Sequence, residues 1–300
     1  VDLQVNGYAG IDFNAAQLSE TEMLEACRRL RADGTDSFLA TIITAPWDSM
    51  IAKVSRLERW IEGNSEIAEI VGGIHIEGPF LNPADGFVGA HPRSAVMPAT
   101  IDQAKRLVDA GGGRVKMFTL APEADAGAKV TRFLSDAGIV VAAGHCDSTL
   151  DDLQESIDAG LRLFTHLGNA CPASLPRHDN IVQRVLSLSE QLMISFIADG
   201  HHIPLFALGN YLRCVPSRNV VIVTDAISAA GLGPGRYELS GQLVEVDDDG
   251  AAWASCRTHY AGCATTLPQM VKVLKQGLSI SDLEIQHWMK DNPSRLLSPS

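Results

Sequence analysis

The chain lacks long apolar runs and is poor in positive charge. No window of about 18 consecutive apolar residues occurs, and no basic segment precedes a short apolar one, so neither a membrane span nor a signal peptide is indicated. Lys and Arg number 24 against 36 Asp and Glu, which gives a formal net charge of −12. Because nucleic acids and anionic membranes bind clustered Lys and Arg, this balance argues against both as partners. We expect a cytoplasmic protein.

Cysteine is sparse and unpatterned. The six cysteines form no CxxC motif and no regular spacing, which favours reduced thiols over a disulfide framework. With 300 residues, 46% of them hydrophobic, the chain is long enough to bury one large core. We predict a single domain over residues 1–300, although this length also allows two.

Short β-like runs alternate with helical patterns along most of the chain. The eight runs cover residues 1–6, 36–43, 69–77, 114–120, 138–144, 161–166, 193–198 and 220–225. Between them lie amphipathic stretches that predict helices, such as Ser19 to Ala32, which Gly34 ends, and another near residues 125–137. This alternation predicts an α/β fold, a (β/α)8 TIM barrel, with a doubly wound open sheet as the competing topology.

The pattern changes after the eighth run. Residues 237–239, 243–246 and 251–254 resemble strands of an antiparallel β-hairpin excursion with a turn at Asp249-Gly250. Helical patterns at 264–277 and 281–290 then follow. The acidic run from Asp247 to Asp249 is typical of a solvated turn, because a calcium loop needs further spaced oxygen ligands.

Side chains that can bind metals or transfer protons stand where apolar runs stop. Glu77, His145 and His166 end strands three, five and six. Because the carboxyl ends of parallel barrel strands share one mouth, these groups should meet there. Two imidazoles and one carboxylate leave a coordination position open, which is typical of a catalytic zinc-type site. Such a cation acidifies water and polarises a carbonyl oxygen.

Two further residues could take part in hydrolysis, but each could also have a purely structural role. Asp225 ends strand eight at the same mouth, where it could act as a general base or as a helix N-cap. His91 lies in the long Gly- and Pro-rich segment 78–92, which is typical of a substrate loop. It could donate to a substrate carbonyl oxygen or be an ordinary loop residue.

The first strand argues for one cation rather than two. Gln4 and Asn6 alternate on that strand, so both can point into the barrel. Two-metal barrels are expected to carry His-x-His there, and amides are poor ligands for a transition metal. Lys116, a possible bridging residue, is predicted to face outward. His75 shares the face of Glu77, and we favour a role in supporting the ligands over direct coordination.

Anion contacts are expected from the loops after strands six and seven. Arg177 and His202 could supply the positive patch that the acidic chain otherwise lacks, although Arg177 could equally be a solvated loop residue. Asp199, which ends strand seven, could orient a neighbour or cap the next helix, and we favour the cap.

Five segments in order carry a family resemblance. They are HIEGPF at 75–80, GH at 144–145, THLGNA at 165–170, ADGHH at 198–202 and VTDA at 223–226. Together they resemble the N-acetylglucosamine-6-phosphate deacetylases of the amidohydrolase superfamily, and the match spans nearly the whole chain. Gln4 and Asn6 resemble the branch of the family that works with one metal ion.

The resemblance implies roles for individual residues. Glu77, His145 and His166 would hold one divalent cation, usually zinc and in some members iron, and Asp225 would be the catalytic acid/base. The acetamido carbonyl would lie near His91. The sugar phosphate would lie near Arg177 and His202. Further substrate contacts would come from Ala90, Asn169, Ala170, Tyr260, Ala261 and Gly262.

The resemblance also implies an activity and an assembly. The expected reaction cleaves the acetamide of N-acetylglucosamine 6-phosphate to give glucosamine 6-phosphate and acetate. The alternatives are an amidohydrolase that acts on another N-acetyl sugar or a cyclic amide, and a catalytically silent sugar-phosphate-binding protein. Family members are commonly homodimers with a small β domain built from both termini. No such domain is evident here, which suggests an excised barrel.

Overall fold

Eight parallel strands follow one another around the molecule in chain order. The computed structural model describes residues 1–239, 242–254, 257, 260 and 262–298. The strands are β1 (Asp2–Val5), β2 (Phe38–Ile43), β3 (Val71–Glu77), β4 (Val115–Leu120), β5 (Val140–Ala143), β6 (Leu161–Phe164), β7 (Met193–Ile197) and β8 (Val220–Val223). Their alternation with helices confirms the predicted TIM barrel.

Contacts between the last and first strands nearly close the barrel. Val5 forms a parallel bridge with Ala226, and the Asn6 amide donates to the Ala226 carbonyl at 2.7 Å. The Thr224 hydroxyl donates to the buried Asp2 carboxylate at 2.6 Å. An open doubly wound sheet has no such contacts between its outer strands, so that alternative is wrong.

Helices surround the strands. They are α1 (Glu20–Ala32), α2 (Trp47–Gly63), α3 (Ser65–Ala68), α4 (Ile101–Ala110), α5 (Lys129–Asp136), α6 (Leu150–Asp158), α7 (Ile181–Ser187), α8 (Leu205–Cys214), α9 (Leu267–Leu278), α10 (Asp282–Gln286) and α11 (Asn292–Leu297). In α1, a capping box joins Ser19 and Glu22, and Met23, Cys27 and Leu30 bury one face. None of the described helices has the length and apolar character needed to cross a bilayer.

The helix predicted over 125–137 begins later, at Lys129. Gly127 and Ala128 have φ values of 70° and 48°, which no α-helix accommodates. The Asp125 carboxylate instead accepts the amides of Val130 and Thr131 at 2.9 and 2.7 Å. A side chain upstream of the left-handed break therefore satisfies the free amides of the first turn.

The excursion after β8 forms a three-stranded antiparallel sheet. Its strands are β9 (Gly235–Leu239), β10 (Gln242–Val246) and β11 (Ala252–Ala254). Val244, Val246 and Ala252 pack on Ile227 in a small apolar cluster of their own. The predicted turn is confirmed, since Gly250 donates to the Asp247 carbonyl at 2.9 Å.

Successive side chains of a strand point to opposite faces of the sheet, and their polarity alternates accordingly. Lys116 in β4 is exposed while its neighbours Val115 and Met117 are buried, so its predicted outward orientation is confirmed. Some buried polar residues of the strands, such as Glu77 and Thr119, lie toward the carboxyl ends, where the candidate site lies. Whether residues 1–300 are one domain without the small β domain stays a prediction.

Candidate active site

Glu77, His145 and His166 converge at the carboxyl end of the barrel. The Glu77 Oε1 atom lies 3.0 Å from His166 Nε2 and 3.3 Å from His145 Nε2. The three residues are 2%, 8% and 3% exposed. As many as 89 residues separate these partners along the chain. The barrel therefore gathers the predicted ligand set into one buried cluster.

Three strand-end residues adopt left-handed backbones. His145, His166 and Asp225 have φ values of 52°, 33° and 51°. Each stands two residues after the last residue of its strand. Such conformations cost roughly 1–3 kcal/mol for residues other than glycine, and they concentrate at functional sites. The turn that ends each strand thus directs its side chain toward the mouth at a cost in stability.

Gln4 holds Glu77 in place, a role that the sequence did not predict. The Gln4 Nε2 group donates to Glu77 Oε1 at 2.9 Å, and Gln4 Oε1 accepts from the Thr165 hydroxyl at 2.8 Å. Both amide atoms of Gln4 are therefore satisfied within a buried network. The inward orientation of Gln4 was the available signal, but its partners lie on strands distant in sequence.

The hydrogen bonds of His145 fix its tautomer. His145 Nδ1 lies 2.9 Å from the Phe87 carbonyl oxygen, which can only accept, so Nδ1 carries the proton. In this neutral tautomer the lone pair of Nε2 is available to a cation beside Glu77. His166 differs, since its backbone amide donates to Ser195 Oγ at 2.8 Å while its buried Nδ1 has no hydrogen-bond partner among the described residues.

His91 presents a proton to the cluster. The Thr44 amide donates to His91 Nδ1 at 3.3 Å, so the neutral ring carries its proton on Nε2. That atom lies 3.2 Å from His145 Nε2 and 4.0 Å from Glu77 Oε2. Burial, together with the charge of His145, lowers the pKa of His91 to about 3. His91 is therefore a neutral donor at physiological pH.

Asp225 lies at the same mouth and is held by Asn6. The Asn6 Nδ2 group donates to Asp225 Oδ1 at 2.7 Å. Burial, and then the negative charge of Glu77, raise the pKa of Asp225 to about 6. A carboxyl whose pKa is near neutrality can both accept and return a proton. The first strand thus supplies a support for Glu77 and another for Asp225.

Glu77 is ionised despite its burial. Burial alone would raise the pKa of Glu77, but hydrogen bonds from His145 and His166 hold it well below its ordinary range. The same contact raises the pKa of His166 against the opposing effect of burial. A buried carboxylate needs a positive partner, and a bound cation would serve in place of protonated imidazole.

The cluster fits a divalent cation. Its ligand atoms all lie within 4.8 Å of one another. Bonds of about 2.0–2.2 Å at tetrahedral angles separate ligand atoms by about 3.4 Å, close to the distances around Glu77 Oε1. Two imidazole nitrogens and one carboxylate oxygen leave a fourth position open. The donor set is suited to zinc and related transition metals.

His75 does not contact the predicted ligands. Its Nε2 lies 2.8 Å from Thr119 Oγ1 and its Nδ1 lies 3.3 Å from Thr41 Oγ1. Burial lowers its pKa to about 4, so the ring is neutral. The predicted supporting role toward the cation is therefore wrong. His75 stands two residues before Glu77 on β3, so its side chain lies deeper in the barrel. There it links β2 and β4 through their threonines.

Asp199 orients His202 and does not cap α8. Its Oδ1 accepts the amides of His201 and His202, each at 2.9 Å, and its Oδ2 lies 2.7 Å from His202 Nδ1. Helix α8 begins at Leu205 after Pro204 and has no side-chain cap. The favoured helix cap was wrong, because the turn at 199–202 intervenes and uses both carboxylate oxygens.

Several of the predicted substrate contacts can be located in the structure. Asn169 Nδ2 donates to the His166 carbonyl at 3.1 Å, and Ala170 has a φ of 49°. The Tyr260 ring lies 5.0 Å from that of His202. Gly262 has a φ of 110°, and a Cβ there would lie 2.4 Å from Ile227 Cγ2. Ala261 lies outside the described residues.

Two predicted contacts lie toward solvent. Ala90 is exposed and lines a cavity of about 670 Å³ beside the cluster, together with Thr44 and Lys53. Arg177 is exposed in the loop between β6 and α7. Among the described residues, no hydrogen bond or ion pair fixes the Arg177 side chain, and its contact with an anion stays a prediction.

Comparisons with known proteins bear on this geometry. No family model matches the chain. It is 32% identical over 248 residues to the N-acetylglucosamine-6-phosphate deacetylase of Bacillus subtilis, covering 82% of this chain and 61% of that protein. Over 283 residues it is 32% identical to the deacetylase of the same name from Danio rerio, covering 92% of this chain and 69% of that protein.

A solved structure has the same architecture. N-acetyl-D-glucosamine-6-phosphate deacetylase from Mycobacterium smegmatis, in complex with N-acetyl-D-glucosamine-6-phosphate, superposes with a TM-score of 0.88 at 28% identity. The match covers 99% of this chain and 76% of that one. The chain spans about three fifths of the length of the Bacillus relative.

Proposed function

The chain belongs to the N-acetylglucosamine-6-phosphate deacetylase family, and we propose that it hydrolyses the acetamide of N-acetylglucosamine 6-phosphate to glucosamine 6-phosphate and acetate. The observation that carries this proposal is the meeting of Glu77, His145 and His166 with His91 and Asp225 at one mouth. This arrangement contains a cation site, a neutral hydrogen-bond donor and a carboxyl of raised pKa. Each of these functions can contribute to amide hydrolysis.

We propose that Glu77, His145 and His166 hold one divalent cation, with zinc favoured by the nitrogen and oxygen donors. When bound, such a cation polarises a carbonyl oxygen and makes water a better nucleophile. Gln4 and the Phe87 carbonyl preset two of the ligands through hydrogen bonds. Preset ligands lose little conformational freedom on binding, so they favour affinity and a single geometry.

His91 stabilises the oxyanion that develops on the acetamido oxygen. Its protonated Nε2 faces the cluster because the Thr44 amide occupies Nδ1. The ring stays neutral at the pH of the cell, so it donates a hydrogen bond without delivering its proton. A preset donor of this kind contributes about 10²–10³-fold in turnover.

Asp225 moves the proton. As a carboxylate it removes a proton from the attacking water, and the new carbon–oxygen bond gives a tetrahedral intermediate. As a carboxylic acid it then donates that proton to the amide nitrogen while the carbon–nitrogen bond breaks. This donation leaves Asp225 ionised again, and the proton of the new carboxyl group passes to the free amine or to solvent as acetate and the amine leave. Asn6 keeps the carboxylate in place throughout.

Recognition of the sugar phosphate is assigned to Arg177 and His202. The Asp199 carboxylate fixes His202 Nδ1–H, which leaves Nε2 for another partner. Asn169, Ala170, Ala90, Tyr260, Ala261 and Gly262 complete the proposed substrate surroundings. We further propose a cytoplasmic homodimer, in keeping with the family resemblance.

The test is acetate release from N-acetylglucosamine 6-phosphate and from unphosphorylated N-acetylglucosamine, with metal analysis of the same preparation. We expect one cation per chain and a large preference for the phosphorylated sugar. Equal rates with the two sugars would favour a different N-acetyl sugar or amide as the substrate. Binding without acetate release by the fully metallated protein would favour a silent sugar-phosphate-binding protein.

A further inference from the structure

A second cluster of metal-binding side chains lies beside Asp225. Asp199, His202 and Cys263 each offer one ligand atom, and these atoms all lie within 4.8 Å of one another. Asp199 and Cys263 are buried, while His202 is partly exposed. Carboxylate, imidazole and thiolate are a donor set for zinc and cobalt. Among the described residues, Cys263 is the only cysteine that shares such a cluster.

The distances within the cluster resemble those of a coordination shell. Bonds of about 2.1 Å to oxygen and about 2.3 Å to sulfur at tetrahedral angles place those two ligand atoms about 3.6 Å apart. The observed separation of Cys263 Sγ and Asp199 Oδ2 is 3.6 Å. Asp199 Oδ2 and His202 Nδ1 are 2.7 Å apart, which is a hydrogen-bond distance. This pair has to separate by about 0.7 Å once a cation replaces the shared proton.

The surroundings hold the carboxylate and the thiol in place. Asp199 Oδ1 accepts two backbone amides, so the carboxylate cannot rotate away and its Oδ2 faces the other two groups. The Thr265 amide donates to Cys263 Sγ at 3.3 Å. An amide that donates to sulfur stabilises a thiolate ligand. The partly exposed side of His202 provides the path of entry.

We infer that Asp199, His202 and Cys263 form a second site for a thiophilic divalent cation such as zinc or cobalt, separate from the cluster around Glu77. The first cluster contains no sulfur, so the two sites differ in donor chemistry. Metal binding here releases the thiol proton and the proton shared by Asp199 and His202. The inference does not depend on the proposed hydrolytic activity.

Cobalt titration of the chelator-treated protein tests this site. A thiolate ligand gives cobalt a near-ultraviolet charge-transfer band, which carboxylate and imidazole ligands cannot produce. We expect the band in the unaltered protein and in His145→Ala, which disrupts the first site. Cys263→Ser should remove the band and lower the bound metal by one equivalent, while Cys214→Ser, at an exposed cysteine of α8, should keep it.

A second variant covers the case in which Cys263→Ser fails to fold. His202→Ala alters a partly exposed residue and should weaken cobalt binding, read from the same band, by at least about tenfold. Absence of the band at saturating cobalt would overturn the inference, as would an undiminished band in folded Cys263→Ser. Neither result bears on acetate release, so failure of the second site is distinguishable from failure of the proposed activity.

Discussion

The strand-end cluster and the loops above it differ in how firmly their side chains are held. Glu77 and His145 are buried, and each has a defined hydrogen-bond partner from another part of the chain. Arg177 and Ala90 are exposed on loops. The chemical groups therefore sit on the rigid part of the barrel, whereas substrate recognition is assigned to its more adaptable rim.

This contrast predicts two kinds of variant. Changes at the strand ends should reduce turnover or metal binding for every substrate. Changes in the loops should reduce the affinity for the phosphorylated sugar and leave the metal centre intact. Each experiment below asks whether that division holds.

The largest effect is expected from Asp225→Asn. An amide cannot accept the proton of the attacking water, so kcat should fall by about 10³-fold or more while metal content stays unchanged. Metal analysis and acetate release measure the two quantities. Asp151→Asn, an exposed change on α6, is the matched control. Normal turnover of Asp225→Asn would refute the assigned role.

His145→Ala should abolish stable cation binding. Removing a direct ligand is expected to lower metal affinity by more than the roughly 10–100-fold that supporting residues contribute. Competition with a chromogenic chelator measures the affinity. His287→Ala, at a partly exposed histidine far along the chain, should bind metal normally. Unchanged affinity in His145→Ala would place the cation elsewhere.

Arg177→Ala should affect only the recognition of the substrate's phosphate group. Loss of a charge-assisted hydrogen bond is expected to raise KM for the phosphorylated sugar by about 10–100-fold with little change in kcat. The unphosphorylated sugar should show no change. Arg132→Ala, which changes an exposed residue of α5, serves as the control. An equal loss with both sugars would show that Arg177 supports the site in some other way.

Gln4→Ala should weaken the cation site without destroying it. Glu77 keeps its two imidazole neighbours but loses the amide that fixes Oε1, so metal affinity should fall by about tenfold. Gln276→Ala, at an exposed glutamine of α9, should leave affinity unchanged. An effect on stability with normal metal affinity would assign Gln4 to packing.

The smallest effect on activity is expected from lowering the pH to mildly acidic values. Asp225 must be ionised to act as a base, and its pKa is raised to about 6, so kcat/KM should fall as pH decreases through that value. A bound cation favours the carboxylate, which places the midpoint at or below about pH 6. We expect about a tenfold loss one pH unit below the midpoint. A pH profile that is flat down to pH 4 would contradict this assignment.

Much of the architecture could be predicted from the sequence because its signals are local. The eight apolar runs match β1 to β8 to within a few residues, and the turn at Asp249-Gly250 has the expected chemistry. The helix over 125–137 was drawn too long, since its amphipathic pattern conceals the left-handed backbone at Gly127 and Ala128. Periodicity reports which face is buried, but not the backbone angle of a single residue.

The residues of the candidate site could be predicted from the sequence, but the contacts between them could not. Glu77, His145, His166 and Asp225 could be selected because each stands at the end of an apolar run, and parallel strands bring their carboxyl ends together. Sequence alone favoured a supporting role beside the ligands for His75 and a helix cap for Asp199, and the hydrogen bonds of both residues differ from these predictions. Cys263 gave no signal, because its partner Asp199 lies 64 residues away.

By itself, the sequence determined the barrel, the family and the set of polar groups at its mouth, since these follow from hydrophobic spacing and chain order. Only the tertiary structure decided which residue holds each of these polar groups in place. Gln4 reaches Glu77, Thr44 sets the proton on His91, and Asn6 holds Asp225. Each pair joins different strands or loops. A hydrogen bond depends on distance and angle in space, and these quantities are fixed only when the barrel closes.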